Sequence, residues 1–298
     1  MLEPKYALVT AAYNEENYLG RTLDSVVQQT LRPVRWVIVS DASTDRTDEI
    51  VLSYQERYPF IQLVRITEDH PRNFAAQVYA IRRGVEALAD VEFDFLGNLD
   101  ADISFAPDYF QQLFARFAAN PRLGLSGGVI RELDGSLTVA PEGELLQSVP
   151  HAIQMFRREC FEDVGGYPAL RFGGPDTYAE VMARMKGWEV QGFADLVVQH
   201  YRLTGSAGGV LRGRFRQGRM DYTLGYGALF EFFKCLRRLR EKPAVQGAVT
   251  RLAGYCWSAV ARTPRAVSRK FIEFLRAEQQ DRLLSRVRWL PGMRRRAH

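Results

Sequence analysis

The sequence predicts an α/β protein with a mostly parallel sheet flanked by helices and a helical, basic C-terminal extension. Three observations support this prediction. Short apolar runs alternate with helical periodicities through the first half of the chain. Several of these runs end in polar clusters, as strands do at the ligand-binding edge of an open α/β sheet. Arginine and lysine crowd the last third, although the 298 residues carry a formal charge of only +5.

Elements of the first half follow from periodicity and flanking residues. Apolar runs of strand length alternate with stretches such as 15–29, where Leu19, Leu23 and Val26 share one helical face. The predicted elements are, in order, a strand at 6–12, a helix at 15–29, a strand at 36–40, a helix from Thr44 or Asp45 towards Tyr58, a strand at 61–66, a helix at 74–88 and a strand at 93–99.

The pattern changes in the second half. Glycines and short apolar runs between 124 and 149 predict short strands, and a helical region is expected at 156–163. Another helix is predicted to open at Pro175 and Asp176 and to continue through Lys186. From about residue 212 onward the chain is expected to be helical and basic.

Cysteine use and the N-terminus limit the class of protein. Cys160, Cys235 and Cys256 are widely spaced and odd in number, so neither a disulfide framework nor a clustered zinc site is predicted. The first residues lack the basic and apolar regions of a secretory signal. Both observations predict a reducing, cytoplasmic location.

Polar clusters follow three of the predicted strands. They contain Glu15, Asp41 and the pair Asp100 and Asp102. Each cluster alone could cap a helix, but their shared position at strand ends predicts a ligand site. The first strand-to-helix turn, at 11–15, contains no glycine, which excludes the phosphate loops of P-loop proteins and of Rossmann dehydrogenases.

These motifs together resemble glycosyltransferase family 2, whose members have the GT-A fold. The resemblance covers roughly residues 5–205. Its motifs are Val9-Thr10-Ala11-Ala12-Tyr13-Asn14-Glu15, Ser40-Asp41-Ala42-Ser43-Thr44-Asp45, the DxD-like Asn98-Leu99-Asp100-Ala101-Asp102, and Gly187-Trp188. It implies a catalytic domain over 1–208, with a nucleotide-sugar half at about 1–103 and an acceptor half at about 104–208. The remaining 209–298 form the extension.

The resemblance implies a nucleoside-diphosphate sugar donor, with UDP favoured over GDP or dTDP, and a divalent Mn²⁺ or Mg²⁺. Asp102 and His200 are the implied metal ligands. The implied nucleotide-sugar residues are Ala11, Tyr13, Glu15, Asp41, Arg72 and Asp100. Arg202 is added to them because it is close enough to His200 in sequence to offer the phosphate a second cation. Simpler roles remain open for three of these residues: a structural histidine at His200, a turn at Asp41 and a surface arginine at Arg72.

On the acceptor side, the resemblance implies that Asp176 is the general base of an inverting transfer. The family commonly has an acidic pair at this position, whereas Pro175 precedes Asp176 here. Glu180, one turn later, is the alternative base. No QxxRW motif is present, so a single-addition transferase is favoured over a processive synthase. The expected acceptor is a lipid-linked or cell-envelope glycan.

Other interpretations are a sugar-phosphate nucleotidyltransferase, a non-catalytic nucleotide-binding scaffold and a nucleic-acid binder. The missing phosphate loop disfavours the first, and carboxylates at strand ends disfavour the last, so no nucleic acid is expected as a partner. Within the extension, 243–261 is interrupted by Gln246 and Arg251 and is too polar for a spanning helix. The aromatic and basic residues nearby predict either peripheral contact with anionic lipid or packing against protein.

Overall fold

The computed structural model describes residues 3–67, 74–133, 148–202, 209–240 and 243–288. The chain divides into two units. The sheet unit comprises Met1–Arg171 and Pro175–Thr204, and the helical unit comprises Phe172–Gly174 and Gly205–His298.

The described residues of the sheet unit form eight strands and six helices. The strands are β1 (Tyr6–Ala12), β2 (Arg35–Asp41), β3 (Ile61–Ile66), β4 (Phe95–Leu99), β5 (Ile103–Phe105), β6 (Leu123–Arg131), β7 (Ile153–Arg157) and β8 (Glu189–His200). The helices are α1 (Leu19–Val27), α2 (Thr47–Gln55), α3 (Phe74–Glu86), α4 (Tyr109–Ala119), α5 (Arg158–Val164) and α6 (Pro175–Met185). The strands lie in one sheet in the order β3-β2-β1-β4-β7-β6-β8-β5.

The sheet is parallel in its first half and mixed in its second. Strands β3, β2, β1 and β4 are parallel neighbours, so their carboxyl ends meet at one edge. Strand β7 runs antiparallel to β4 and β6, and β5 runs antiparallel to β8. The predicted helix at 156–163 was therefore wrong at its start. Phe156 and Arg157 pair with β4, and the helix begins at Arg158.

Helices cover both faces of the sheet, as the alternation of strands and helices requires. Side chains of α1, α2 and α4 pack on one face, where Phe110 and Phe114 of α4 lie with ring centroids 4.8 and 5.0 Å from that of Tyr6. Side chains of α3, α5 and α6 pack on the other face. This arrangement leaves the carboxyl ends of the strands for the loops that carry the polar clusters.

The helical unit contains α7 (Val210–Thr223), α8 (Ala228–Arg237), a 3₁₀ turn (Arg238–Arg240), α9 (Ala244–Val260) and α10 (Arg269–Arg288). Helices α7 and α9 approach closely at two glycines. A methyl group at Gly218 would overlap the carbonyl oxygen of Arg251, and one at Gly254 would overlap that of Phe215. No described helix is both long enough and apolar enough to cross a membrane.

A network of charged side chains lies inside the helical unit. Asp221 and Glu231 are fully buried, and the Arg251 guanidinium donates to both carboxylates. Lys234 donates to the second oxygen of Asp221 at 3.0 Å. These contacts compensate charges that would otherwise be costly to remove from water. The Arg251 that interrupts the apolar stretch 243–261 is therefore a buried ion-pair partner.

Candidate active site

Hydrogen bonds join the loops that follow β1 and β2. Asn14 has a φ of 53°, a left-handed conformation that asparagine tolerates better than most residues, and its Oδ1 accepts the Thr44 N–H at 2.8 Å. Asp45 accepts the backbone N–H groups of Glu16 and Thr47, both at 3.0 Å. Burial would raise the pKa of Asp45, but the hydrogen bonds from the Thr47 hydroxyl and from these backbone groups lower it. Asp45 thus ties the first residue of α2 to the first loop.

The side chain of Glu15, in the first of these loops, forms an ion pair with Arg202. The guanidinium donates to both carboxylate oxygens, at 3.0 and 2.6 Å, and its Nε lies 3.7 Å from Asp102 Oδ2. Burial raises the pKa of Glu15 to about 7, the two contacts with Arg202 oppose this rise, and Asp102 adds to it. Two residues predicted separately for the nucleotide site are therefore joined by a bidentate ion pair.

The two predicted metal ligands, Asp102 and His200, also come together, and Asp100, predicted for the nucleotide sugar, joins them. Each of the three side chains offers one ligand atom, and these atoms all lie within 4.8 Å of one another. Asp102 Oδ1 is 3.3 Å from His200 Nε2, and both side chains are almost fully buried. Strand β4 ends just before the two aspartates, and β8 ends at His200, so strand ends position all three residues.

This trio suits a divalent cation. Carboxylate oxygens are preferred ligands of Mg²⁺ and Mn²⁺. The 3.3 Å between Asp102 Oδ1 and His200 Nε2 is close to the spacing, roughly 3 Å, of adjacent ligands around an octahedral ion with bonds of about 2.1 Å. Glu132 Oε2 lies 3.3 Å from His200 Nδ1, and such a carboxylate commonly orients a metal-binding histidine. Burial lowers the pKa of His200, but Asp102 and Glu132 raise it to about 9.

Asp176 and Glu180 lie in the first turns of α6. Asp176 Oδ1 accepts the N–H of Thr177 at 2.8 Å. Glu180 is buried, and its Oε1 accepts the Ser148 hydroxyl at 3.0 Å and the Val149 N–H at 2.7 Å. Burial, with the charge of Asp176, raises the pKa of Glu180 to about 8. Glu180 thus holds the chain just before β7, whereas Asp176 is the more exposed carboxylate.

The other predicted nucleotide residues that the structure describes lie at or near the ends of β1 and β2. Ala11 is half-buried near the end of β1, Tyr13 is 43% exposed in the following loop, and Asp41 is buried at the end of β2. Arg72 lies outside the described residues.

Two residues near the predicted carboxylates were not predicted. Glu132 follows β6 and contacts His200, and His151 precedes β7 with its Nδ1 3.7 Å from Asp100 Oδ1. Neither residue lies in a sequence motif. Both meet their partners only because β6 and β7 lie in the same sheet as β4 and β8.

Comparisons with known proteins give consistent results. The family model described as "Glycosyl transferase family 2" matches residues 7–172. Beta-monoglucosyldiacylglycerol synthase of Synechocystis sp. is 26% identical over 199 residues, which are 64% of this chain and 38% of that protein. Validoxylamine A glucosyltransferase of Streptomyces hygroscopicus subsp. limoneus is 31% identical over 117 residues, which are 39% of this chain and 24% of that protein. The matched region is less than half the length of either relative.

Solved structures match nearly the whole chain. The mannosyltransferase PcManGT from Pyrobaculum calidifontis, in complex with GDP-Man and Mn²⁺, gives a TM-score of 0.57 at 20% identity, covering 98% of this chain and 82% of that one. S. aureus TarS 1-349 in complex with UDP-GlcNAc gives 0.56 at 15% identity, covering 95% and 85%. At these identities the likeness shows the fold alone, and the predicted GT-A fold is confirmed.

Proposed function

Because the chain belongs to glycosyltransferase family 2, we propose that it transfers a sugar, with inversion, from a nucleoside diphosphate to an acceptor hydroxyl, assisted by a divalent metal. The observation that carries this proposal is the grouping of Asp100, Asp102 and His200 at strand ends of the sheet. A UDP-sugar is the favoured donor. The favoured acceptor is a lipid-linked or cell-envelope glycan.

On the donor side, Asp102 and His200 would hold Mn²⁺ or Mg²⁺, with Asp100 beside them or near the ribose. Such an ion, when bound, neutralises negative charge on the departing diphosphate. Arg202 supplies a second cation, although its bonds to Glu15 must be shared or exchanged for it to contact phosphate. Three residues would receive the nucleoside: Asp41 as acceptor of the base N3–H, with Ala11 and Tyr13 beside it. Arg72 is proposed near the donor from the resemblance alone.

On the acceptor side, Asp176 would be the general base. Its carboxylate takes the proton of the acceptor hydroxyl while that oxygen bonds to the sugar C1 and the bond from C1 to the diphosphate oxygen breaks. Attack from the side opposite the leaving group inverts the anomeric centre. Glu180 is the weaker candidate because its Oε1 is engaged by Ser148 and Val149 and its pKa is raised to about 8.

Thermal stabilisation by UDP, GDP and dTDP, each with and without Mn²⁺, tests the donor site. Ligand at about a hundred times its dissociation constant adds on the order of 2.7 kcal/mol to the free energy of unfolding. We expect a metal-dependent shift with one nucleotide, and its loss in Asp102→Ala. Asp90→Ala, at an exposed carboxylate outside the site, is the matched control and should retain the shift. The absence of a shift with any nucleotide would refute the proposal.

The proposal includes peripheral membrane contact through 209–298, at the cytoplasmic face. Four exposed apolar residues follow helical spacing along one face of α8: Leu229, Phe232, Phe233 and Leu236. Glu231 and Cys235, on the same helix, are buried, and the exposed Arg237 offers positive charge to anionic lipid.

Co-sedimentation with phosphatidylcholine vesicles, with and without phosphatidylglycerol, tests this contact. We expect the double substitution of Phe232 and Phe233 by serine to reduce binding to the anionic vesicles. Leu284→Ser, which changes an exposed apolar residue of α10, is the control and should bind as the wild type does. Equal binding by all three proteins would exclude the α8 face as the membrane contact.

A further inference from the structure

Tyr201 lies between two residues of the proposed donor site. Strand β8 ends at His200, and Tyr201 and Arg202 follow it. His200 Nε2 lies 3.3 Å from Asp102 Oδ1, and Arg202 Nε lies 3.7 Å from Asp102 Oδ2. The residues on both sides of Tyr201 thus reach the same carboxylate. The path of the chain at Tyr201 therefore affects where both of these side chains lie.

Tyr201 is attached to the segment that contains Asp102. Its backbone N–H donates to the carbonyl oxygen of Asp102 at 2.9 Å, which extends the antiparallel pairing of β5 with β8. Its hydroxyl lies 2.8 Å from that of Ser104, a residue of β5. Both the backbone and the side chain of Tyr201 therefore hold it against the strand that follows the two aspartates.

The start of α1 contacts the ring of Tyr201. Tyr18, which immediately precedes α1, is stacked with Tyr201, with ring centroids 6.2 Å apart and planes inclined by 7°. One turn further along, the guanidinium carbon of Arg21 lies 4.5 Å from the centroid of the Tyr201 ring. Aromatic stacking and cation–π contacts of this geometry are attractive. The ring therefore has two partners in addition to the hydroxyl contact with Ser104.

Tyr18 joins these contacts to Arg202. The guanidinium carbon of Arg202 lies 5.4 Å from the centroid of the Tyr18 ring, while its nitrogens donate to Glu15. The backbone N–H of Tyr18 donates to the carbonyl oxygen of Glu15 at 3.1 Å. The Tyr18 ring thus lies against both Tyr201 and Arg202.

These contacts hold the donor-site segment and do not build the core. Among the described residues, neither Tyr18 nor Tyr201 belongs to the hydrophobic clusters of the sheet unit or packs against them. A metal ion is bound more tightly when neighbouring residues fix the orientation of its ligands, and loss of such a neighbour typically lowers metal affinity. Tyr201 has that relation to His200, the residue before it.

We propose that Tyr201 is a positioning residue of the donor site and keeps His200 and Arg202 beside Asp102. This inference rests on the proposed function, in which Asp102 and His200 hold a divalent metal.

Equilibrium dialysis against Mn²⁺, alone and with UDP, GDP or dTDP, tests this role at a temperature well below the melting of every variant. Tyr201→Leu removes the ring and the hydroxyl, whereas Tyr201→Phe keeps the ring beside Tyr18 and Arg21. We expect Tyr201→Leu to bind Mn²⁺ on the order of tenfold more weakly than the wild type, and Tyr201→Phe to recover most of that loss. Tyr18→Leu, which removes the stacking from α1, should change the affinity in the same direction.

Tyr58→Leu is the matched control. Tyr58 is also half-buried, is stacked with Tyr54 at 6.2 Å, and has the guanidinium carbon of Arg57 5.3 Å from its ring centroid. It precedes β3, at the amino end of the parallel strands, whereas the aspartates lie at the carboxyl end. Because Tyr58 also packs against the core, its loss measures what reduced packing alone does to Mn²⁺ binding, and we expect no change.

Pulsed electron paramagnetic resonance of the bound Mn²⁺ gives a second measurement, which a change in stability alone does not alter. An imidazole nitrogen bound to the ion modulates the spin echo, and His200→Ala supplies the reference without that modulation. We expect Tyr201→Leu to weaken the nitrogen modulation and Tyr201→Phe to keep it.

The other outcomes separate this role from the proposed function. If the wild type binds Mn²⁺ in none of the four conditions, the metal-dependent donor site and the positioning role fail together. If the wild type binds Mn²⁺ without nitrogen modulation, or if Tyr201→Leu matches the wild type in affinity and modulation, the metal dependence stands and the positioning role is overturned. If Tyr58→Leu loses as much affinity as Tyr201→Leu, the effect is one of stability and the positioning role is again overturned.

Discussion

Replacing Glu180 with glutamine should make the stability of the sheet unit less dependent on pH. Glu180 is 5% exposed, and its Oε1 accepts hydrogen bonds from Ser148 and Val149. Glutamine has nearly the same shape and keeps an acceptor oxygen for both donors. The substitution therefore changes the protonation of the site while leaving its packing largely intact.

The sign of the effect follows from the pKa values in the two states. Burial raises the pKa of Glu180 in the folded protein to about 8, whereas an unfolded glutamate has a pKa of about 4.3. Between these values the folded state holds a proton that the unfolded state has lost, so the free energy of unfolding falls as pH rises. One proton corresponds to about 1.4 kcal/mol per pH unit, so the fall from pH 6 to pH 8 is up to about 2 kcal/mol.

Urea unfolding at pH 5, 6, 7 and 8 measures this difference directly. The wild type should lose stability relative to Glu180→Gln as pH rises, and Glu56→Gln, at an exposed position just after α2, should follow the wild type. Parallel stability curves for the wild type and Glu180→Gln would refute the reasoning about burial.

The same protein preparations also test which residue is the general base. Glu180→Gln should retain turnover, whereas Asp176→Asn should lose a factor on the order of 10² to 10⁴.

Three further substitutions test packing and charge elsewhere. Gly218→Ala should destabilise the helical unit by about 1–3 kcal/mol in urea unfolding, because the added methyl group would overlap a backbone carbonyl of α9. The control is Gly20→Ala, which should be neutral or stabilising because no atom lies within 4 Å of the added carbon. Arg251→Met should cost about 3–5 kcal/mol in the same assay because the buried Glu231 and Asp221 both lose their bond to the guanidinium, although Asp221 keeps its contact with Lys234; a loss below about 1 kcal/mol would contradict that role. Asp45→Ala should cost about 0.5–2 kcal/mol at pH 7, and the cost should shrink as the pH falls through the lowered pKa of Asp45; a loss that does not change with pH would contradict the hydrogen-bond account.

The position of Asp100 and Asp102 at one edge of the sheet could be predicted because its information is local in sequence. Strand β4 is a short buried run that ends beside Asp100 and Asp102, and parallel neighbours bring such ends to one edge. The same reasoning places Asp41 at the end of β2. The family resemblance then led to His200, about a hundred residues later in the chain, and Arg202 was predicted because it lies close to His200 in sequence.

The residues that escaped prediction depend on pairings that no local pattern encodes. Glu132 reaches His200 because β6 and β8 are parallel neighbours, and His151 reaches Asp100 because β7 pairs antiparallel with β4. An antiparallel strand inserted into a parallel sheet has the same local apolar pattern as its neighbours. That is why Phe156 was assigned to a helix and why the contacts of His151 could not be inferred.

The balance of charge around the proposed donor site gives a physical reason to expect metal dependence. Among the described residues, the carboxylates of Glu15, Asp100, Asp102 and Glu132 outnumber the basic side chains that contact them, those of Arg202, His200 and His151. Arg202 is already shared between Glu15 and Asp102. Without a cation the carboxylates would repel the phosphates, and with one the same carboxylates would anchor it. We therefore expect nucleotide to bind weakly in the absence of metal even where every protein contact to the base and ribose is intact.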